Sequence, residues 1–313
     1  MAKNHYVPQF YLRNFSPTKG GDDIIVYKRN EKPFRSNIIN IASSNDFYSV
    51  KDEKTGKKDT TIEKFFSQLE GAAKPIIEKL ICEKNADMTE DNRIVLTHFM
   101  GFLFVRNQVF RQKTKNFYSE IMKQTIAFGA HNKEYFHEML KKATGKNLTK
   151  SQMERTREFA LKGEYDIGYE NDDHFIGATL SLAKDIMPIF WGKHWKIITT
   201  KTSRSFVTSD NPMSLARPRD YIKSPFGGLG LLEADIFLPL SPDTVLLCTN
   251  NKEWPNIIEI KREWVDSTNR LTAQFAQKFL LADIESQDIS MVFNNTNEGD
   301  STKVYTDNSF FAK

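Results

Sequence analysis

Cysteine is almost absent from this 313-residue chain, and Cys82 and Cys248 lie far apart without any ligand spacing. A disulfide framework and a cysteine-built zinc site are thereby excluded, and both thiols are expected as small buried hydrophobes in a reducing compartment. Long apolar runs are also missing. The strongest, Phe99–Val105, stops at Arg106, far short of the ~18 residues of a membrane span. Six histidines are present, none in pairs with the spacing of a zinc protease or finger. Neither sign of charge dominates: 44 Lys and Arg stand against 40 Asp and Glu, which permits contact with nucleic acid without demanding it. No Walker sequence or Gly-x-Ser-x-Gly elbow occurs, which removes the usual ATPase and serine-hydrolase classes. Gly227, Gly228 and Gly230 follow Pro225 and precede a predicted strand, the wrong order for a phosphate cradle. The opening Met1–His5 lacks the apolar stretch of a secretory leader, and a cytoplasmic protein is expected.

What is present is a globular composition, 39% hydrophobic and rich in Phe, enough to bury a sizeable core. Tyr6–Phe15 predicts a short helix with Pro8 in its first turn. Gly20-Gly21 turns the chain into a strand at Ile24–Tyr27, and a second strand is predicted near Phe47–Val50, before the basic turn Lys54–Lys58. Helical periodicity spans Thr61–Glu83, with Pro75 as a candidate kink. Thr89 is the expected N-cap of a helix running to about Phe117. Polar helices fill a peripheral insertion near 118–172, and an amphipathic helix from Asp172 to Trp191 ends at Gly192. From residue 194 strands follow: Trp195–Thr199, Ser205–Thr208, Ile236–Leu238, Thr244–Cys248 and Ile257–Lys261, then a helix over Arg262–Phe279. The prediction is one α+β domain over 1–313, a helical central bundle with a small β-sheet built from N- and C-terminal segments.

Several polar residues are candidates for chemistry. His5 suits a general base, a metal ligand or a phosphate contact, with a packed cap as the structural alternative. Glu63 and Glu70 share one helix face about two turns apart, as carboxylates for a divalent cation or a basic partner, or as solvated charge. Arg106 interrupts the most apolar helix and must find a partner, either one of those glutamates or a ligand's carboxylate or phosphate. Asp210, in Thr208-Ser209-Asp210-Asn211-Pro212, is either a site residue at a strand end or part of an Asx-type turn. Asp243 with Glu259-Ile260-Lys261 has the short, degenerate pattern of a restriction-type nuclease.

The run His5-Tyr6-Val7-Pro8-Gln9-Phe10-Tyr11-Leu12-Arg13-Asn14-Phe15 closely resembles the start of the microbial family known as domain of unknown function 4238. Asn45-Asp46-Phe47-Tyr48, Glu63, Glu70, Arg106, Phe206–Pro212, Leu238–Pro242 and Asn269 resemble its later landmarks, over nearly the whole chain. Asn107-Gln108 stand where the family usually has Thr-Pro after its arginine, and Glu259-Ile260-Lys261 lies outside the family pattern. The resemblance implies that His5, Glu63, Glu70, Arg106, Asp210 and Asn269 converge. It also implies a setting in bacterial defence against phages, with no established chemistry.

Two functions follow as expectations. The first is a metal-dependent hydrolase, a nuclease or nucleotidase. His5, Arg106, Asp210 and Asn269 would be catalytic, and Glu63, Glu70 and Asp210 would hold Mg²⁺ or Mn²⁺. Its partners are nucleic acid or a nucleotide, and no membrane. The second is a non-catalytic sensor or binding module whose polar residues form a buried network.

Overall fold

The computed structural model of the protein describes residues 3–45, 50–51, 58–146, 148–167, 173–218, 230–296 and 305–306. The first part of the chain runs β1 (Lys3–His5), α1 (Gln9–Leu12), β2 (Asp23–Tyr27), β3 (Phe34–Asn37), β4 (Ser43–Asn45), β5 (Val50–Lys51) and β6 (Lys58–Asp59). Helices follow: α2 (Thr61–Glu83), α3 (Glu90–Val105), α4 (Gln108–His131), α5 (Lys133–Thr144), α6 (Lys150–Lys162) and α7 (Asp173–Gly192). The remainder is β7 (His194–Thr199), β8 (Thr208–Ser209), β9 (Ser214–Pro218), α8 (Gly230–Glu233), β10 (Asp235–Ser241), β11 (Thr244–Thr249), β12 (Ile257–Glu259), α9 (Arg262–Phe275), β13 (Leu280–Ala282), α10 (Gln287–Asn294) and β14 (Tyr305–Thr306). This is an α+β fold. The chain forms two compact units, Met1–Val109 with Gly177–Lys313, and Phe110–Ile176. Most of the phrase Asn45–Tyr48, the turn up to Gly56-Lys57, and Gly227 and Gly228 lie outside the described residues.

In the first unit, the sheet expected from both ends of the chain is β3-β2-β13-β8. Val26 of β2 pairs with Leu281 of β13, joining residues near the two ends of the sequence. A larger sheet of order β12-β7-β11-β10-β9-β14 comes entirely from residues from His194 onward. Every residue of β10 and β11 is buried, as their apolar runs require when both faces are covered. Phe237, Leu247, Phe206, Val265 and Leu271 share one core cluster, each such side chain contributing roughly 1.5–3 kcal/mol by leaving water. No helix among the described residues is long and apolar enough to cross a membrane.

The helices hold the cleft described below. α2 is continuous through Pro75 and buries Phe66, Ala73, Ile76, Ile77 and Leu80, the spacing of one helical face. Beyond it Lys84, at φ 52°, donates to Asp243 Oδ2 at 2.7 Å and so ties the helix end to the β10–β11 turn. Thr89 caps α3 by accepting from Asn92 N–H, but that helix stops at Val105 rather than running to Phe117. The Asn107 side chain donates to the Phe104 carbonyl at 2.7 Å, replacing a helical bond and ending the turn. Gly101 lets α3 approach α7: a Cβ there would stand 2.9 Å from Met187 Cγ. Cys248 is buried as expected, whereas Cys82 is exposed on α2.

The second unit is a small helical body around Ala130, Phe136 and Ala160. Thr149 and Gln152 form a capping box at the start of α6.

Candidate functional site

The site begins where β1 ends. His5 pairs with Ser43 of β4, and Tyr6 N–H donates to the Ala42 carbonyl at 2.9 Å. Pro8, at φ −60°, then starts α1 without needing an N–H partner. His5, Gln9 and Arg13 recur every four residues and form a chain of hydrogen bonds. Gln9 Nε2 lies 3.3 Å from His5 Nδ1, and Arg13 Nη2 donates to Gln9 Oε1 at 3.3 Å. Arg13 Nε donates to Asp22 Oδ1 at 2.8 Å. The other ring nitrogen of His5, Nε2, lies 3.2 Å from the Ile39 carbonyl. A carbonyl only accepts, so the network assigns the proton of the neutral ring to Nε2 and leaves Nδ1 as the basic nitrogen.

Helix α2 supplies the facing wall through Glu63, Ser67 and Glu70, with Phe66 between them. Together with Asn4, Phe10 and Arg106 these residues line an open cleft of about 460 Å³. Asn4 Nδ2 donates to Glu63 Oε1 at 2.9 Å, linking the walls. Arg106, at the end of α3, is only 3% exposed. Its Nη2 donates to Glu70 Oε1 at 2.7 Å and its Nε to the Tyr6 carbonyl at 3.2 Å. Its guanidinium lies 4.9 Å from the Phe66 ring centre, a cation–π contact. Burial therefore gives Arg106 the ion-pair role foreseen as one of its two alternatives. Four of the six residues expected to converge thus line one cleft: His5, Glu63, Glu70 and Arg106.

Asp210 and Asn269 are placed elsewhere and do structural work. Asn269 Oδ1 accepts from Val207 N–H at 3.0 Å while its Nδ2 donates to the Ser205 carbonyl at 2.9 Å. One side-chain amide replaces a neighbouring strand, which is why the predicted strand over Ser205–Thr208 shortens to Thr208–Ser209. Asn269 also borders a second cavity of about 290 Å³, lined by Arg204, Asp266 and Asp288, whose charges pair with one another.

Asp210 is buried, and its two carboxylate oxygens accept from Gln277 N–H at 2.9 Å and Lys278 N–H at 2.8 Å. It fastens the segment that leaves α9. Burial raises its carboxyl to about 6, against the opposing pull of the backbone donors. The expected metal triad of Glu63, Glu70 and Asp210 is therefore not assembled. Among the described residues no three His, Cys, Asp or Glu side chains gather to hold a metal ion. The adjacent strands of the restriction-nuclease pattern are not formed either, because β7 lies between β11 and β12. Asp243 is engaged by Lys84, Ser241 and Thr244, and Glu259 by Lys201 at 2.6 Å.

Tyr6 connects the two regions. Its carbonyl accepts from Arg106, and its buried hydroxyl is pushed well above the usual range, first by desolvation and then by the charge of Asp210. Asn107 Nδ2 adds a second tie, donating to Asn211 Oδ1 at 3.2 Å. Asn4, Gln9 and Arg13 line the cleft without having been singled out from sequence. The available signal was the four-residue spacing of His5, Gln9 and Arg13 on a short helical segment.

Comparison with curated proteins and with solved structures finds no match to the chain. Residues 3–286 match the family described as Protein of unknown function (DUF4238). That span holds every residue of the cleft and of the Asp210 fastening, and the chain belongs to the DUF4238 family.

Proposed function

We propose that the protein is a hydrolase of phosphoesters, a nucleotidase or nuclease, with this cleft as its active site. The observation that carries the reading is the convergence of His5, Glu63, Glu70 and Arg106 on one open cleft of about 460 Å³. A basic imidazole, carboxylates and arginines in one concave site are the groups that such hydrolysis uses. Once the attacking water takes the place of the Gln9 amide at His5 Nδ1, that nitrogen accepts its proton. As water oxygen bonds to phosphorus, the P–O bond to the leaving alcohol breaks, and the proton passes on to that alcohol. Glu70 is the carboxylate through which Mg²⁺ or Mn²⁺ would assist, since such ions often use one or two carboxylates plus substrate phosphate, which leaves Glu63 for the rest of the substrate. Asp210 and Asn269 have no part in this chemistry. A role in phage defence, as the family resemblance implies, fits an effector that degrades nucleotides or nucleic acid.

The test is release of phosphate or of shortened oligonucleotide from a panel of nucleotides, RNA and DNA, with and without Mg²⁺, Mn²⁺ and chelator. Activity in the wild type that His5→Ala abolishes at unchanged melting temperature supports the reading. Activity that survives in His5→Ala contradicts it. A second reading, a binding module without catalysis, is favoured by the buried Arg106–Glu70 pair, in which two cleft residues serve one another. It predicts ligand binding in the same cleft with no turnover under any of these conditions.

A further inference from the structure

We infer that the two walls of the cleft divide the recognition of a nucleoside monophosphate, Arg13 taking the phosphate beside His5 and Glu63 the hydroxyl or amino donors of the nucleoside. The inference rests on the hydrolase reading above and narrows its substrate class.

Charge is laid out unevenly around the cleft. His5 and Arg13 stand on the wall built from the amino-terminal segment, whereas Glu63 and Glu70 stand on α2. Arg106 was the sequence candidate for holding phosphate, but it is 3% exposed and committed to Glu70 and to the Tyr6 carbonyl. Arg13 differs in each respect. Its side chain is 39% exposed, and its charged partner Asp22 is 59% exposed. Solvent-exposed ion pairs are weak, so Asp22 is readily replaced by a phosphate that offers a planar guanidinium two acceptors. Gln9 bridges Arg13 to His5, placing the imidazole beside the group that the guanidinium would bind.

On the other wall, a carboxylate can only accept hydrogen bonds when ionised. Glu63 already accepts from the Asn4 amide at 2.9 Å, which shows the kind of donor it takes. Ribose hydroxyls and exocyclic amines are donors of that kind. Phe10 and Phe66 supply apolar lining for sugar or base. A volume near 460 Å³ suits a single small molecule and is within the usual ~300–1,000 Å³ of such sites.

The experiment is calorimetric titration of the full-length protein with AMP, GMP, CMP and UMP, with adenosine, and with inorganic phosphate. Wild type is compared with Arg13→Met, Arg13→Lys and Glu63→Gln, each first checked for an unchanged melting temperature. Arg13→Met is expected to weaken at least one nucleotide tenfold or more and leave adenosine unchanged, with Arg13→Lys intermediate. Glu63→Gln is expected to weaken nucleotide and adenosine alike and to leave phosphate unchanged. Nucleotide affinity that Arg13→Met does not alter overturns the inference, as does phosphate binding as tightly as every nucleotide, or no binding at all. The expected pattern without turnover defeats the hydrolase reading and keeps the recognition. Turnover indifferent to Arg13→Met does the reverse.

Discussion

Arg106 Nη2 and Glu70 Oε1 meet at 2.7 Å at the floor of the cleft, with the arginine 3% exposed and the glutamate side chain 26%. The pair joins the carboxyl-terminal end of α3 to the face of α2, and its unequal exposure makes its two halves unequal. Removing the glutamate takes the paired carboxylate from a buried guanidinium, whereas removing the arginine leaves a carboxylate that water still reaches and takes one donor from the Tyr6 carbonyl. Glu70→Ala is expected to destabilise by about 3 kcal/mol and Arg106→Met by less, roughly 1–2 kcal/mol. Urea unfolding of both singles and the double variant measures the coupling. A coupling energy near zero would mean that the pair contributes nothing.

The buried carboxyl of Asp210 predicts a pH dependence with a definite sign. It titrates near 3.8 when the chain is unfolded and at about 6 when folded, because burial disfavours the charge. Between those values the folded state holds the extra proton, so its stability rises as pH falls through 6 toward 4. Above pH 6 this contribution is lost. The linkage amounts to about 3 kcal/mol. Asp210→Asn should remove that slope. The check is the difference in unfolding free energy between wild type and variant at pH 4.5 and pH 7.5. A difference independent of pH contradicts the assignment.

Asn269 supplies a prediction that separates structure from chemistry. Asn269→Ala leaves the Val207 N–H and the Ser205 carbonyl without the partner that now satisfies both. A loss of about 2–4 kcal/mol is expected. Nucleotide affinity of the folded fraction should not change, since Asn269 does not line the cleft. Denaturant melts and titrations below the melting temperature test both halves.

Gly101 sets the distance between α3 and α7. A Cβ would meet Met187 Cγ at 2.9 Å and Cε at 3.1 Å, with the Ala183 carbonyl at 3.4 Å. Gly101→Ala pushes mainly on a flexible methionine and should be mild. Gly101→Val overfills the contact and should cost about 1–3 kcal/mol. Met187→Ala should rescue part of that loss, and strictly additive melting shifts would show that the two residues do not touch.

Helix α2 and strands β10 and β11 were legible because their signals are long. Phe66, Ala73, Ile76, Ile77 and Leu80 repeat at helical spacing, and Ile236–Leu238 and Val245–Cys248 are unbroken apolar runs. Strand β13 follows directly on the helix predicted to end at Phe279 and was not foreseen, since three residues, Leu280-Leu281-Ala282, carry no period of their own. The break after Val105 was equally silent. No glycine or proline marks it, and the side chain of Asn107 ends the helix instead.

For the site, local patterns linked Glu63, Glu70 and, as one alternative, Arg106, and only the family resemblance added His5 to them. It also grouped Asp210 and Asn269, because a polar residue in a buried segment looks the same whether it binds a ligand or holds backbone. Only the partners, Gln277 and Lys278 for one and Val207 and Ser205 for the other, decide between those roles.

If His5 belongs to a working site, its imidazole reports on that directly. Long-range proton–nitrogen NMR of ¹⁵N-histidine-labelled protein, recorded before and after saturation with a nucleotide, reads the state of both ring nitrogens. In the ligand-free protein His5 is expected to be protonated at Nε2 and accepting at Nδ1, with Nδ1 shifting on ligand addition while His98, His131, His137 and His194 stay in place. A bound or turned-over nucleotide that leaves the His5 resonances unmoved would contradict it.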